Sequence, residues 1–268
     1  MLKFFLLSFI LVTNLWAHEA LTTNNHADVV NKAAELGKRY GADRVLVVFD
    51  IDNTLLTARQ QLGSDQWFEW QSDAIARKTP EAAFTTFDEL LEAQANFYQL
   101  SKMELTQPDL PQLVQQLKTN GHSIFLLTSR GPNLRNVTER ELTRNGLKFG
   151  DKTIMKGIAE EFMEPPFKMN VSFQNGIFMT AGHHKGEALQ YLVKKSGRTF
   201  DAIVFADDLE KHTTRVGQTF ANSSQPEVVT FRYGRIDSTV SDFRSSPKEE
   251  INATTRSLVD HYKTVFPQ

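Results

Sequence analysis

The feature that most constrains the fold is a continuous apolar run, Val45–Phe49, which ends directly at an aspartate. The run lacks the polar alternation of a half-exposed strand, so it is typical of a strand buried on both faces of a parallel sheet. Three more such runs lie at residues 123–127, 203–206 and 228–231, and segments with helical spacing separate them. The sequence therefore predicts an α/β fold in three layers, with a Rossmann-like parallel sheet between helices.

Two segments do not fit this alternation. Residues 58–107 place aromatic side chains at helical spacing between the first two strands, and we expect a small helical cap inserted there. Asn175 and Gly176 separate two short apolar runs, which predicts a short β-hairpin insertion with a two-residue turn. The predicted catalytic core is formed by residues 27–57 and 108–268, and residues 58–107 form the predicted cap.

Composition limits the classes of function. The chain has 268 residues, of which 40% are hydrophobic, enough for one large domain or one domain with an insertion. Its 30 basic and 32 acidic residues give a net charge of -2, so the sequence indicates no basic surface for nucleic acid. The absence of cysteine excludes disulfides, thiolate metal sites and a cysteine nucleophile.

The N-terminus resembles a secretory signal peptide. Lys3 precedes an apolar run that reaches about Val12, and Ala17 precedes polar residues. The run is shorter than the roughly 20 apolar residues of a membrane-spanning helix. We therefore expect cleavage near Ala17, with residues 1–17 as signal peptide, no stable membrane span, and a periplasmic or secreted product. An uncleaved anchor is the alternative.

Acidic residues follow two of the predicted strands directly. Asp50 and Asp52 come after the first strand, and Asp207 with Asp208 comes after the third. Ligands of open parallel sheets bind outside the carboxyl ends of the strands, so all four carboxylates are expected near one edge. Two carboxylates can serve as nucleophile and as acid or base, but four together repel one another unless a cation lies among them. The sequence therefore predicts a metal at this edge.

Four ordered segments carry a family resemblance: DIDNTLL, LLTSRG, HHKGEAL and VFADD. They resemble the four motifs of the haloacid dehalogenase (HAD) superfamily of phosphatases. With the N-terminal segment, the chain is similar to an exported bacterial subgroup of uncharacterised function, of the DUF2608 type. The resemblance covers residues 43–57 and 108–232, and it does not cover the cap.

The resemblance implies a role for each matching residue. Asp50 would be the nucleophile, Asp52 the general acid/base, and Mg²⁺ the cofactor. The other implied roles are phosphate contact for Thr128, charge neutralisation for Lys185, and metal binding by the carboxylates of Asp50, Asp207 and Asp208 and the main-chain carbonyl of Asp52. An acid two residues after the nucleophile favours phosphatase over dehalogenase chemistry.

Several of these residues also have an ordinary structural interpretation. Lys185 is preferred over other lysines of the same connection because it opens a predicted helix and precedes a glycine. Asn53, Ser129 and Arg130 are candidates for substrate contact, and for Arg130 a surface ion pair is an equal alternative. Asp207 and Asp208 could also cap the helix that follows them.

The leading hypothesis is a magnesium-dependent phosphomonoester hydrolase that acts through an aspartyl-phosphate intermediate. Its substrate would be a small-molecule phosphomonoester or a phosphoprotein. One alternative is a secreted binding or host-interaction protein that keeps the fold without turnover. Another is a phosphotransferase that uses an acceptor other than water.

Overall fold

The computed structural model describes residues 18–151, 153–155, 160–221 and 226–265, so the predicted signal peptide lies outside the described residues. The strands are β1 (Glu19–Thr23), β2 (Val45–Phe49), β3 (Leu56–Ala58), β4 (Met103–Leu105), β5 (Ser123–Thr128), β6 (Glu160–Phe162), β7 (Val171–Gln174), β8 (Ile177–Met179), β9 (Ala202–Asp207) and β10 (Glu227–Tyr233). The helices are α1 (His26–Tyr40), α2 (Asp65–Arg77), α3 (Phe87–Leu100), α4 (Leu110–Thr119), α5 (Arg135–Arg144), α6 (Lys185–Ser196), α7 (Glu210–Phe220), α8 (Asp237–Ser245) and α9 (Glu249–Val265). Within the described ranges, none of these helices has the length and apolar character needed to cross a membrane.

Eight strands form the central sheet in the order β1-β10-β9-β2-β5-β8-β7-β6. Neighbours from β1 to β8 are parallel, whereas β7 is antiparallel to both of its neighbours, β8 and β6. The four predicted strands are confirmed as β2, β5, β9 and β10. In register, Phe49 lies beside Ala206 of β9 and Leu126 of β5. The segments that follow these three strands therefore emerge side by side at one edge.

The central strand β2 buries side chains on both faces, as its continuous apolar run predicts. Val47 and Phe49 belong to one hydrophobic cluster with residues of α1 and α4, whereas Leu46 and Val48 belong to a second cluster with residues of α6 and α7. Each buried aliphatic or aromatic side chain contributes about 1.5–3 kcal/mol to stability. The two clusters confirm the predicted arrangement of a mostly parallel sheet flanked by helices on both faces.

The predicted hairpin is also present. Asn175 and Gly176 connect β7 to β8 with φ angles of 51° and 74°, the left-handed conformation that two-residue hairpin turns require. A side chain at position 176 would also collide with the chain, since a Cβ there would lie 2.8 Å from the carbonyl oxygen of Phe149. Glycine is therefore required at this turn by backbone conformation and by space.

The segment at residues 58–107 contains α2 and α3 and is closed at its base by the antiparallel pair β3 and β4. Ser64 caps α2, and Thr86 with Glu89 forms a capping box at the start of α3. A hydrophobic cluster within this segment includes Trp67 and is joined by Phe243 of α8. The domain boundaries stay a prediction, but the C-terminal helices α8 and α9 share this cluster with α2 and α3.

Candidate active site

Asp50 and Asp207 face each other at the carboxyl edge of the sheet, and Lys185 lies between them. The backbone N–H of Asp50 donates to Ala206 O at 2.9 Å, which continues the ladder between β2 and β9. The Nζ of Lys185 donates to Asp50 Oδ1 at 2.5 Å and to Asp207 Oδ2 at 2.6 Å. All three side chains are buried. The structure therefore brings together three residues that the sequence assigned to one site.

The start of α6 places Lys185. His184 caps this helix by accepting a hydrogen bond from the N–H of Glu187 through its side chain. The next residue, Gly186, packs directly against α7, where a Cβ would lie 2.6 Å from the carbonyl oxygen of Arg215. A larger residue would push α6 outward, so the glycine after Lys185 keeps the amine within reach of the two aspartates.

One lysine does not balance the carboxylates around it. Burial raises the pKa of Asp50 to about 7 even though Lys185 opposes this, and the negative charges of Asp207 and Asp52 add to the effect. Burial would also raise the pKa of Asp207, but the opposing effects of Lys185 and His212 are larger and lower this pKa to about 2. Burial alone would lower the pKa of Lys185, yet the two carboxylates raise it. The lysine is thus a permanent cation in a site with excess negative charge.

Asp208 adds a further buried carboxylate to this group. Carboxylate oxygens of Asp50, Asp207 and Asp208 lie within 4.8 Å of one another. Asp208 is 8% exposed, and its side chain forms no hydrogen bond or ion pair with another described residue. Burial, reinforced by repulsion from Asp207 and Asp65, raises its pKa well above the ordinary value. Three hard oxygen donors with excess negative charge are compatible with a divalent metal ion.

Thr54 connects the two acidic segments. Its hydroxyl donates to Asp50 Oδ2 at 3.3 Å and accepts from the N–H of Asp208 at 2.9 Å. The chain can turn back this closely because Asn53 adopts a left-handed conformation with φ 54°. The sequence assigned no role to Thr54, since a threonine beside an Asp-x-Asp pattern carries no signal of its hydrogen-bond partners.

His212 is a second residue that sequence reasoning missed. Its Nδ1 lies 3.2 Å from both carboxylate oxygens of Asp207. Burial lowers the pKa of His212, so the ring is neutral, and we assign the proton to Nδ1, where it is donated to Asp207. Asp207 is therefore oriented from two sides, by Lys185 and by His212.

Asp52 has a separate set of partners. Arg130 donates from Nε to Asp52 Oδ2 at 2.9 Å and from Nη2 to Asp52 Oδ1 at 2.7 Å, and the hydroxyl of Tyr98 donates to Oδ1 at 3.0 Å. Burial would raise the pKa of Asp52, but Arg130 and Tyr98 together lower it. Arg130 is only 5% exposed. The ion pair considered for Arg130 is thus present, but it is buried and its partner is Asp52.

The remaining candidates for phosphate or substrate contact lie at the same edge in different environments. Thr128 ends β5, is buried, and accepts the N–H of Arg130 through its hydroxyl at 3.2 Å. Ser129 is exposed. Asn53 is buried; its amide donates to Gln66 at 3.4 Å and its carbonyl accepts from Thr57 at 3.0 Å. Their contact with a substrate stays a prediction.

A cleft of about 760 Å³ opens beside the carboxylates, between β1, α2, α7 and α8. Its charged and polar lining includes Asn53, Asp65, Glu69, Asp208, Arg232 and Arg244. Arg244 forms an ion pair with Glu69 at 3.2 Å, whereas Asp65 forms no ion pair with another described residue. Burial, followed by repulsion from Asp52 and Glu69, raises the pKa of Asp65 well above the ordinary value. The cleft offers space for a polar group beside the carboxylates.

A sequence model of one protein family, described as a protein of unknown function (DUF2608), matches residues 22–259. The chain belongs to the DUF2608 family. A protein of Chlamydia trachomatis serovar D, described as a candidate outer membrane protein, is 20% identical over 183 residues. That match covers 67% of this chain and 66% of the relative, slightly less than two thirds of its length.

Two solved structures resemble this DUF2608 chain. The class C acid phosphatase from Bacillus anthracis is 13% identical, with a TM-score of 0.40 over 88% of this chain and 87% of that one. A second structure of class C acid phosphatase from Bacillus anthracis, with tungstate bound, is 12% identical, with a TM-score of 0.37 over 88% of this chain and 91% of that one.

The site of this DUF2608 protein combines three chemical capacities. Asp50 is a carboxylate beside a fixed cation. A carboxylate nucleophile needs such a cation, because an anionic substrate would otherwise repel it. Asp52 is a second carboxylate on the same turn, oriented by two donors of its own. Asp208, with Asp50 and Asp207, provides oxygen ligands for a divalent cation. Together they support attack by a carboxylate on an anionic centre, with the added charge offset.

Proposed function

We propose that this DUF2608 protein is a magnesium-dependent phosphomonoester hydrolase of the HAD type. The observation that carries the proposal is Lys185, a fully buried amine held by both Asp50 and Asp207. Beside it lies the carboxylate of Asp208, which has no hydrogen bond or ion pair with another described residue. A binding surface has no need for a buried lysine among carboxylates that still lack charge balance. A catalytic site that joins an anionic nucleophile to an anionic substrate does need a buried cation, because the two reactants repel each other.

The reaction proceeds in two steps. An oxygen of Asp50 bonds to phosphorus while the bond from phosphorus to the leaving oxygen breaks, and protonated Asp52 gives its proton to that oxygen. The carboxylate of Asp52 then takes a proton from water, the water oxygen bonds to phosphorus, and Asp50 is released together with inorganic phosphate. Arg130 and Tyr98 favour ionised Asp52 in the free enzyme, and the negative charge of a bound phosphoester favours its protonated form.

The other residues act on charge and orientation. Lys185 reduces the repulsion between Asp50 and the incoming phosphate, and Thr128 donates a hydrogen bond to a phosphate oxygen. Bound magnesium would be held by the carboxylates of Asp50, Asp207 and Asp208 and by the carbonyl of Asp52, and it supplies further positive charge. In this proposal, Asn53, Ser129 and Arg130 contact the substrate.

The substrate is a small-molecule phosphomonoester or a phosphoprotein that the protein meets after export. Residues 1–17 act as the signal peptide in this proposal, and the product is periplasmic or secreted. The description of the Chlamydia relative as a candidate outer membrane protein supports export.

The test is phosphate release from a panel of phosphomonoesters, with Mg²⁺ or with a chelator, for the wild type and for Asp50→Asn. We expect release that needs the metal and falls to background in the variant, because an amide is not a nucleophile toward phosphorus. Asp73→Asn is the matched control, since Asp73 is exposed and pairs with Arg77 on the outside of α2. Unchanged turnover in Asp50→Asn would contradict the mechanism. Metal binding without release from any ester would favour a binding protein.

A further inference from the structure

Tyr98 is a residue of the helical segment that reaches the catalytic edge. It lies in the last turn of α3, is 4% exposed, and donates its hydroxyl to Asp52 Oδ1 at 3.0 Å. The two residues are 46 positions apart in the chain. None of the sequence motifs includes Tyr98, so its contact with Asp52 arises from the tertiary structure alone.

The ring of Tyr98 also supports the second partner of Asp52. The guanidinium carbon of Arg130 lies 4.3 Å from the ring centroid, a cation–π geometry. The other end of this guanidinium is fixed as well, because Nη1 donates to the hydroxyl of Thr138 at 2.8 Å. The ring of Tyr98 and the guanidinium of Arg130 therefore stack on each other. The Tyr98 hydroxyl and Nη2 of Arg130 both donate to the same carboxylate oxygen, Asp52 Oδ1.

The backbone of Tyr98 is held in place from the opposite side. Arg140 of α5 donates from Nη2 to the carbonyl oxygen of Tyr98 at 3.1 Å and from Nη1 to that of Gln99 at 2.9 Å. These bonds satisfy carbonyl groups that have no partner within the last turn of α3. The end of α3 is thereby tied to the helix that follows β5, and the phenol has little freedom to leave Asp52.

The hydrogen bonds from Tyr98 and Arg130 leave one acceptor position of the Asp52 carboxylate open to a water or a leaving oxygen. A carboxylate has about four acceptor positions. Among the described residues, Oδ1 accepts from both Tyr98 and Arg130, whereas Oδ2 accepts only from Nε of Arg130. The free position on Oδ2 is the one that a water or a leaving oxygen can use, and the other three contacts set the direction in which it points.

We infer that Tyr98 is a positioning residue, which with Arg130 orients Asp52 so that Oδ2 exchanges protons with the leaving oxygen and then with water. This inference rests on the proposed function. It assigns the hydroxyl of Tyr98 to the proton-transfer steps and couples the helical segment at residues 58–107 to those steps. A purely structural role would require only the packing of the ring.

The test uses Tyr98→Phe, which keeps the ring and its stacking on Arg130 and removes only the O–H. The substrate is 4-nitrophenyl phosphate with Mg²⁺. Nitrophenolate leaves phosphorus without needing a proton when Asp50 attacks, whereas hydrolysis of the aspartyl-phosphate needs Asp52 as a base. We expect a burst close to one equivalent of nitrophenolate followed by a kcat about tenfold lower than in the wild type. KM should fall with kcat, because slower hydrolysis of the aspartyl-phosphate lowers both, so kcat/KM should stay within about twofold. Tyr233→Phe is the matched control: its hydroxyl is also buried, bonds to Gln107, and lies outside the site, so its kcat should stay within about twofold.

Two results would overturn the inference while the proposed function stands. One is a steady-state rate for Tyr98→Phe within about twofold of the wild type. The other is a proportional fall of burst and steady-state rate, because loss of correctly folded sites lowers both together. Absence of metal-dependent release by the wild type from 4-nitrophenyl phosphate and from every other ester of the panel would instead overturn the proposed function, and this inference with it.

Discussion

Lys185 illustrates at the scale of one residue how stability and function meet in this protein. A lysine that is 1% exposed is stable only where its charge is compensated, and here two aspartates compensate it. The converse also holds, since Asp50 and Asp207 are buried carboxylates that depend on this amine. His26 is another buried titratable residue, and its neutral ring stacks on Tyr233 at 3.9 Å.

Replacing Lys185 with methionine should destabilise the fold and reduce turnover. The variant keeps much of the side-chain volume but leaves two buried carboxylates without their cation, at a cost of about 3–5 kcal/mol. Lys263→Met is the control, because Lys263 pairs with Glu89 at the surface and its loss should cost below about 1 kcal/mol. The free energy of unfolding in urea measures both. Equal stability of Lys185→Met and the control would contradict the compensating role of the buried amine.

His26 should make stability depend on pH. Its Nε2 donates to Thr54 O at 2.9 Å, its Nδ1 has no hydrogen-bond partner among the described residues, and burial lowers its pKa from 6.5 to about 4. Between these two values the unfolded chain binds a proton that the folded chain does not, so stability falls as the pH drops from about 6.5 to about 4. The loss is about 1.4 kcal/mol per pH unit, or about 3 kcal/mol in all.

The variant His26→Gln tests this prediction because it retains a donor for Thr54 O and has no titrating ring. Urea unfolding of wild type and variant at pH 7, 5.5 and 4.5 gives the difference in stability at each pH. The wild type should lose more stability than the variant toward acid. An equal loss in both proteins would show that other groups cause the pH dependence.

At the scale of elements, α8 and α9 are bound to the helical segment between β3 and β4. Phe243 of α8 packs in the cluster that contains Trp67, Phe84 and Leu90. Arg256 of α9 adds two hydrogen bonds, to the carbonyl oxygens of Pro80 and Ala82 at 2.7 and 2.8 Å. The last two helices therefore stabilise α2 and α3, and through α3 they support the position of Tyr98.

Phe243→Ala should test this support. Removal of a buried phenylalanine costs about 3–5 kcal/mol, and amide exchange in α2 and α3 should accelerate more than in β2 and β9. Leu100→Ala is the control, since Leu100 is 85% exposed and its change should cost under about 0.5 kcal/mol. Urea unfolding and hydrogen exchange give the two quantities. If amide exchange accelerated equally in the central sheet and in α2, this would contradict the prediction that the cluster supports α2 and α3 in particular.

Elements with a strong local pattern were predictable, and those that depend on pairing were not. The runs at β2, β5, β9 and β10 are apolar enough to identify alone, and Asn175-Gly176 specifies its turn by backbone conformation. The edge strand β1 has the sequence EALTT, which carries little apolar signal and becomes a strand by pairing with β10.

At the scale of the whole molecule, charge at the sheet edge should couple the metal to folding. Asp208 is buried without a partner among the described residues, so it opposes folding when no cation is bound and favours folding when one is. A ligand that binds only the folded state stabilises it, by about 2.7 kcal/mol at a concentration 100 times Kd. The sign of the effect of Asp208 should therefore depend on Mg²⁺.

Asp208→Asn tests this reversal. In chelator the variant should unfold at a higher temperature than the wild type, because a buried uncompensated charge has been removed. In Mg²⁺ the wild type should gain several degrees in Tm and the variant should gain much less. Asp73→Asn, on the exposed face of α2, should follow the wild type in both conditions. An equal gain in Tm for Asp208→Asn and wild type would contradict a role of Asp208 in metal binding.

Apolar runs and chain order were enough to predict β2, β5, β9 and β10 and to place Asp50 and Asp207 at one sheet edge. The structure brings Lys185, which the family resemblance assigned to the same site, to both of them. The partners of Asp52 follow only from the packed structure. Tyr98 and Arg130 lie 46 and 78 residues away from it in the chain, and no sequence pattern relates positions so far apart. Local pattern determines where a chain extends or coils, whereas hydrogen bonds between distant side chains exist only after the elements have packed.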